Sequence, residues 1–181
     1  LSNEANQPME SKDRRYTIVF NGEIYNYIEL RNELRDLGHI FNTASDTEVL
    51  MKAWEHWQQD CIPRLNGMFA FAIHDKNNNK ITIVRDAFGI KPLFYYIDDV
   101  KNHFSFSSEL PALLDLIDIS PKLDKQSTFD YLVGQNYDLN EKTFFENICS
   151  LLPGEYISFD LNCTKILSRE MWWKPSINEE K

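Results

Sequence analysis

Residues 65–75, LNGMFAFAIHD, give the clearest indication of the fold. Within this stretch Met68–Ile73 is apolar at every position, so an extended strand here has two apolar faces. A strand of that kind is covered on both sides rather than half exposed. The polar turn Lys76–Asn79 and the run KITIVR (80–85) follow, which predicts an antiparallel partner strand.

Helices and further strands surround this hairpin in the sequence. Apolar residues at spacings of three and four predict a helix that begins near Tyr27 and stops at Gly38. Ser45 and Glu48 have the spacing of a capping box, which predicts the start of a second helix. Short helices are expected at Leu110–Leu116 and Phe129–Val133. The remaining predicted strands are Tyr16–Phe20, Phe94–Ile97, His103–Ser107, Glu155–Asp160 and Lys165–Leu167.

Antiparallel strands covered on both faces, with helices outside them, predict two sheets packed face to face between helical layers. The fold class is therefore α+β, a four-layer αββα sandwich. With 181 residues the chain has the size of one domain. We expect the domain to occupy residues 1–175 and a linker to begin at 176–181.

The composition limits the function classes. A formal net charge of -9 argues against nucleic acid or an anionic membrane as a partner. No apolar run approaches the roughly 20 residues that span a bilayer, and three scattered cysteines do not make a disulfide scaffold. We expect a cytoplasmic protein. The four histidines have no metal-ligand spacing with one another or with the cysteines, so no metal site is predicted.

The stretch VFNGEIYNY (19–27) contains Asn21-Gly22, which is usually the tip of a β-hairpin. A helix follows instead of a second strand, so we expect Asn21–Glu23 at a strand-to-helix junction. Such a junction exposes backbone N–H groups, and glycine lets a bound group come close. An ordinary strand-to-helix loop is the alternative interpretation.

Seven motifs in one order resemble the glutaminase domain of glutamine-hydrolysing asparagine synthetases, which are class II glutamine amidotransferases with an N-terminal-nucleophile hydrolase fold. The resemblance covers nearly the whole chain. The motifs are ANQPM (5–9), NGEIYNY (21–27), SDTEV (45–49), LNGMFAFAIHD (65–75), RDAFGIKPLFYY (85–96), SSE (107–109) and LPGEY (152–156).

The resemblance implies a substrate and site residues. Glutamine would be bound, with the Asn21 side-chain amide and the Gly22 backbone N–H forming an oxyanion hole. Glu23 and Asp46 would hold the α-ammonium group of glutamine. Both acids also have structural interpretations, since acids near a helix N-terminus are stabilised by the helix dipole. Arg85, Asp86 and Lys91 would shape the loop near a second domain, or simply form a salt-bridged turn.

The resemblance also implies a nucleophile that these residues do not supply. The family's nucleophile is an N-terminal cysteine, whereas this chain begins with Leu1, and Cys61, Cys149 and Cys163 are poor substitutes. We therefore expect a truncated domain that lacks its first strand or strands and does not hydrolyse glutamine. The strand edge left open would favour a homo-oligomer.

Three functions remain open from the sequence. The first is the ammonia-producing half of an asparagine synthetase whose absent synthetase domain would use Mg-ATP; no cofactor is expected in this chain. The second is a catalytically silent binding or regulatory relative. The third is an amidotransferase with a different acceptor.

Overall fold

The computed structural model describes residues 6–98, 100–117, 120–136 and 140–176. Of the predicted linker, only Ser176 belongs to the described residues; the rest of it lies outside them. The strands are β1 (Met9–Glu10), β2 (Tyr16–Ile24), β3 (Gly67–Asp75), β4 (Lys80–Arg85), β5 (Phe94–Asp98), β6 (His103–Ser107), β7 (Ile148–Ser150), β8 (Glu155–Asp160) and β9 (Lys165–Met171). The helices are α1 (Tyr27–Asp36), α2 (Asp46–Trp57), α3 (Leu110–Ile117) and α4 (Lys125–Gly134), with a 3₁₀ helix at Gln58–Arg64.

Two antiparallel sheets form the centre of the molecule. The larger sheet has the order β1-β2-β3-β4-β8-β9, and the smaller one has the order β6-β5-β7. The central strand β3 is buried continuously from Phe69 to Ile73. This confirms that both faces of the LNGMFAFAIHD strand are covered.

Alternate residues of β3 face two different cores. Phe69, Phe71 and Ile73 lie in the core beneath α1 and α2, together with Leu34 and Leu50. Ala70 and Ala72 face the opposite way, into the core between the two sheets. Large residues on one face and alanines on the other let the smaller sheet approach β3 closely.

A third core closes the stack. Leu113 and Ile117 of α3 pack with Ile148 and the outer-face residues Phe94 and Tyr96 of the smaller sheet. The layers are therefore α1 and α2, the larger sheet, the smaller sheet, and α3. The predicted four-layer αββα fold is confirmed.

Local differences from the sequence expectations have simple causes. β1 and β7 are only two and three residues long, too short for periodicity to reveal. The capping box at Ser45 is half formed, because Ser45 Oγ accepts from Glu48 N–H at 3.2 Å whereas the Glu48 carboxylate accepts from Asn42 and Thr43. β9 extends to Met171 because it pairs with the full length of β8.

Asp86 organises the loop that follows β4. Its side chain is fully buried, and its carboxylate accepts the backbone N–H groups of four residues. These are Phe69 (3.2 Å), Phe88 (3.0 Å), Ile90 (3.0 Å) and Lys91 (2.9 Å). The neighbouring Arg85 guanidinium donates to the carbonyl oxygens of Gly89, Lys91 and Leu151. The loop is therefore held by side-chain bonds to backbone groups.

We predict that Asp86→Asn lowers the free energy of unfolding by about 3 kcal/mol. The amide has one acceptor oxygen in place of two, so two of the four N–H groups lose their acceptor at roughly 1.5 kcal/mol each. Urea unfolding monitored by tryptophan fluorescence measures the change. Asp160→Asn, which alters an exposed acceptor at a hairpin end, is the control and should cost under about 0.5 kcal/mol. Equal losses in the two variants would contradict the role of Asp86.

Candidate functional site

The candidate site lies along the outer edge of β2. At Phe20 the side-chain amide of Gln7 occupies both backbone groups, accepting from Phe20 N–H at 2.6 Å and donating to Phe20 O at 2.8 Å. At Ile24 the N–H donates to Asp46 Oδ2 at 3.1 Å. Two side chains therefore cover the edge of β2 on either side of Gly22.

Gly22 presents its own N–H and C=O to the same outer edge. It faces Phe69 across β2 and β3. The N–H and C=O of Phe69 are turned toward Asp86 on the other side, at 3.2 Å and 2.8 Å. In an antiparallel ladder a residue directs both backbone groups to one side, so Gly22 and Phe69 form a pair without mutual hydrogen bonds. The Gly22 backbone groups point outward like those of Phe20 and Ile24.

Only glycine fits at position 22. Its φ is +151°, and a Cβ on this backbone would lie 2.1 Å from Met68 O and 2.7 Å from Phe69 Cα. A side chain would therefore force β2 away from β3. The absence of a side chain leaves the outward N–H of Gly22 accessible to a bound group.

This geometry corrects the predicted position of Asn21–Glu23. These residues lie inside β2, which continues to Ile24, rather than at a strand-to-helix junction. The strand continues because β3 pairs with it as far as Gly67, opposite Ile24. The backbone N–H expected at a loop is instead supplied by Gly22 at the edge of the sheet.

The side chains of Asn21 and Glu23 alternate with position 22 along β2 and lie on the other face of the strand. Asn21 lies opposite Ala70, on the face toward the smaller sheet, and its Nδ2 donates to Ser108 Oγ at 3.1 Å. Asn21 and Ser108 line an open cleft of about 140 Å³ between the sheets, whose walls include Val19, Leu93 and Phe106. Glu23 is exposed, and its carboxylate has no hydrogen-bond or ion-pair partner among the described residues.

Asp46 is placed by the loop that precedes α2. It is the first helical residue, and the helix is capped by Ser45. The Arg31 guanidinium donates to Thr43 O at 2.9 Å and to Ser45 O at 3.0 Å. Asp46 is therefore both an acid at a helix N-terminus and a hydrogen-bond partner of β2. Its role toward glutamine stays a prediction.

Glu48 reinforces the same loop from inside. Burial by itself would raise the pKa of the Glu48 carboxyl, but hydrogen bonds from Asn42 N–H, Thr43 Oγ1 and Thr43 N–H hold that pKa below its usual value. The carboxylate stays ionised in a buried position because three donors satisfy it. It fixes residues 42–43 and, through them, the start of α2.

The structure thus brings Gly22 and Asp46 to one edge of β2, with Asn21 and Glu23 on the adjoining face. Gln7 and Ser108 lie in the motifs ANQPM and SSE, but the sequence indicates no role for either residue. Their contacts join positions 13 and 87 residues apart, which no local pattern reveals.

None of the three cysteines lines the cleft beside Asn21. Cys61 is buried, and burial raises the pKa of its thiol to about 12. Cys149 lies in β7, where burial also raises the thiol pKa, and Cys163 is exposed at the tip of the β8–β9 hairpin.

Within the described ranges, no group of three or more His, Cys, Asp or Glu side chains could hold a metal ion. No helix in those ranges is long and apolar enough to cross a membrane.

Comparison with known proteins gives matches over most of the chain. A family model described as a glutamine amidotransferase domain matches residues 1–173. Asparagine synthetase [glutamine-hydrolyzing] 1 of Bacillus subtilis is 44% identical over 129 residues, 71% of this chain and 20% of that protein. Asparagine synthetase [glutamine-hydrolyzing] 2 of the same organism is 36% identical over 170 residues, 92% of this chain and 22% of that protein. The chain therefore spans about a fifth of the length of these curated relatives.

A solved structure shares the fold. Glutamine phosphoribosylpyrophosphate amidotransferase from B. subtilis superposes with a TM-score of 0.65 at 20% identity, over 96% of this chain and 33% of that one. At this identity the match shows the fold alone. The family match over residues 1–173, together with two antiparallel sheets between helical layers, establishes that the chain belongs to the glutamine amidotransferase domain family.

Proposed function

We propose that this chain carries the glutamine-binding residues of a glutaminase domain. In the longer protein the side-chain amide of glutamine would be hydrolysed, and the ammonia would serve the ATP-dependent amidation of aspartate to asparagine. The observation that carries the proposal is the outward N–H of Gly22, which lies between two edge positions already occupied by Gln7 and Asp46.

Amide hydrolysis needs hydrogen-bond donors where negative charge develops on the carbonyl oxygen. The Gly22 N–H and the Asn21 Nδ2 are two such donors on neighbouring residues of a rigid strand. Each donor of this kind typically accounts for about 10²–10³ in rate, because it is already oriented when the tetrahedral intermediate forms.

The α-ammonium group of glutamine would bind the carboxylates of Asp46 and Glu23. The Asp46 carboxylate accepts a hydrogen bond from Ile24 N–H. Ile24 lies two residues from Gly22, which is about 7 Å along the strand at the usual rise per residue. This separation is comparable with the length of a glutamine side chain. Asp46 accepts from Ile24 N–H through Oδ2 and, at 3.5 Å, from Thr47 Oγ1 through Oδ1, and Glu23 has no partner among the described residues. Each carboxylate oxygen can accept more than one hydrogen bond, so both carboxylates have acceptor capacity left for a cation.

The acceptor part of the proposal rests on similarity. The curated relatives described above carry the printed name asparagine synthetase, whereas the solved structure with the same fold is named for phosphoribosylpyrophosphate. One fold thus serves different acceptors. The Mg-ATP chemistry would belong to residues outside this chain, and a silent binding module remains the alternative if no glutamine is bound.

We predict that L-glutamine shifts the backbone amide resonances of Asn21, Gly22 and Ile24 in an NMR titration of the chain. Asp46→Asn should weaken binding at least about tenfold, because it removes a charge-assisted bond to the ammonium group. Asp36→Asn, at the exposed end of α1, is the matched control and should bind like the wild type. Absence of wild-type binding, or unchanged affinity in Asp46→Asn, would count against the site.

We predict that the purified 181-residue chain releases ammonia from glutamine no faster than buffer does. No cysteine lies in the cleft beside Asn21 to attack the amide. A coupled glutamate dehydrogenase assay at several protein concentrations measures the release. Ammonia that increases with protein and disappears after iodoacetamide treatment would refute this expectation.

The three thiols should react with a disulfide reagent in a fixed order at pH 8. Cys163 should react first because it is exposed, and Cys149 later because burial raises the pKa of its thiol. Cys61, whose thiol pKa is raised to about 12, stays protonated at this pH and should react only after unfolding. Cys163→Ser should remove the fast phase alone; a fast phase that survives this substitution would contradict the assignment.

A further inference from the structure

Ser108 lies in the turn between β6 and α3. Ser107 Oγ accepts from Glu109 N–H at 3.2 Å and holds this turn, and Leu113 N–H bonds to Glu109 O at 3.1 Å as α3 begins. Leu113 is fully buried against the smaller sheet. The hydroxyl of Ser108 is therefore presented from a well-anchored position.

Asn21 meets this hydroxyl from the other sheet. The bond from Asn21 Nδ2 to Ser108 Oγ is 3.1 Å long and joins residues 87 positions apart. Both residues line the cleft between the sheets. Across the strand from Asn21 lies Ala70, whose single methyl group leaves the amide room to rotate. Packing at this position thus does little to select the orientation of the amide.

Orientation matters because an amide has two different ends. Nδ2 donates two hydrogen bonds and Oδ1 only accepts, and the terminal torsion of asparagine is broad and roughly two-fold. An oxyanion is stabilised by Nδ2 and repelled by Oδ1. A partner that fixes which end faces the cleft decides whether the residue stabilises or opposes the reaction.

We propose that Ser108 is a positioning residue that orients the Asn21 amide. The hydroxyl accepts one Nδ2 hydrogen, which sets the plane of the amide and leaves the second hydrogen available to a bound carbonyl oxygen. The smaller sheet thereby controls a donor carried by the larger sheet. The inference rests on the proposed function, because it assigns Asn21 to glutamine binding.

Three variants of the full chain test the proposal: Ser108→Ala, Ser108→Thr and the control Ser105→Ala. Ser105 is a buried serine three positions earlier, and its hydroxyl has no hydrogen-bond partner among the described residues. The first readout is the pair of Asn21 side-chain NH₂ resonances in the unliganded, ¹⁵N-labelled protein. The second is the affinity for L-glutamine.

We expect Ser108→Ala to shift the two Asn21 NH₂ resonances toward each other and to weaken glutamine binding about three- to tenfold, as for one lost neutral hydrogen bond. Ser108→Thr, which keeps the hydroxyl, should restore both readouts, and Ser105→Ala should change neither. In an Asn21→Ala background, Ser108→Ala should have no further effect on affinity.

Unaltered Asn21 NH₂ resonances in Ser108→Ala, or equal shifts in Ser105→Ala, would overturn the assignment of Ser108. Absence of glutamine binding in the wild type would instead refute the proposed function. Because the side-chain resonances are measured without ligand, the two failures are distinguishable.

Discussion

Gly22 and Phe69 face each other across β2 and β3 at a distance that no side chain at position 22 would permit. The arrangement of the site follows from this constraint and from the pairing that surrounds it. Asp86 takes both backbone groups of Phe69, so the pair makes no ladder bond and Gly22 is directed outward. The same alternation sends Asn21 and Glu23 toward the smaller sheet. The buried carboxylate of Asp86, which follows β4 two strands away from β2, therefore helps to define the site.

Side chains, rather than another strand, bond to the backbone at the outer edge of β2 on either side of Gly22. An uncovered strand edge is a template for pairing with another chain, which was the reason to expect a homo-oligomer. Gln7 and Asp46 occupy the two positions next to Gly22 with side chains, so a continuous run of free backbone groups does not exist there. A strand could not be added in register without displacing both, whereas a small ligand needs only the outward N–H of Gly22. The oligomeric state stays a prediction, and its physical basis at this edge is weaker than the sequence indicated.

The acidic residues near the site differ in burial and in how far their carboxylates are hydrogen-bonded within the protein. Glu48 is buried, fully hydrogen-bonded and held ionised, so it stabilises the loop before α2. Asp46 and Glu23 are more accessible and have acceptor capacity left. An acid whose acceptors are satisfied within the protein serves the fold, whereas one that keeps accessible acceptors can bind a cationic group. This difference is what distinguishes Glu48 from the neighbouring Asp46, although both lie in the same SDTEV motif.

The layers and the approximate elements could be predicted from the amino-acid sequence, because burial on two faces and helical periodicity are local patterns. MFAFAI predicted a doubly covered strand, and the spacing of Tyr27, Leu30 and Leu34 predicted α1. The motif order also indicated the family and the residues Asn21, Gly22, Glu23 and Asp46. The directions in which those residues point depend on strand pairing in the folded chain. The sequence predicted Gly22 at a strand-to-helix junction, but it lies within a strand, because nine residues of β3 pair with β2. The roles of Gln7 and Ser108 likewise depend on contacts between distant segments, and local sequence carries no information about which hydrogen-bond partner a folded chain brings within reach.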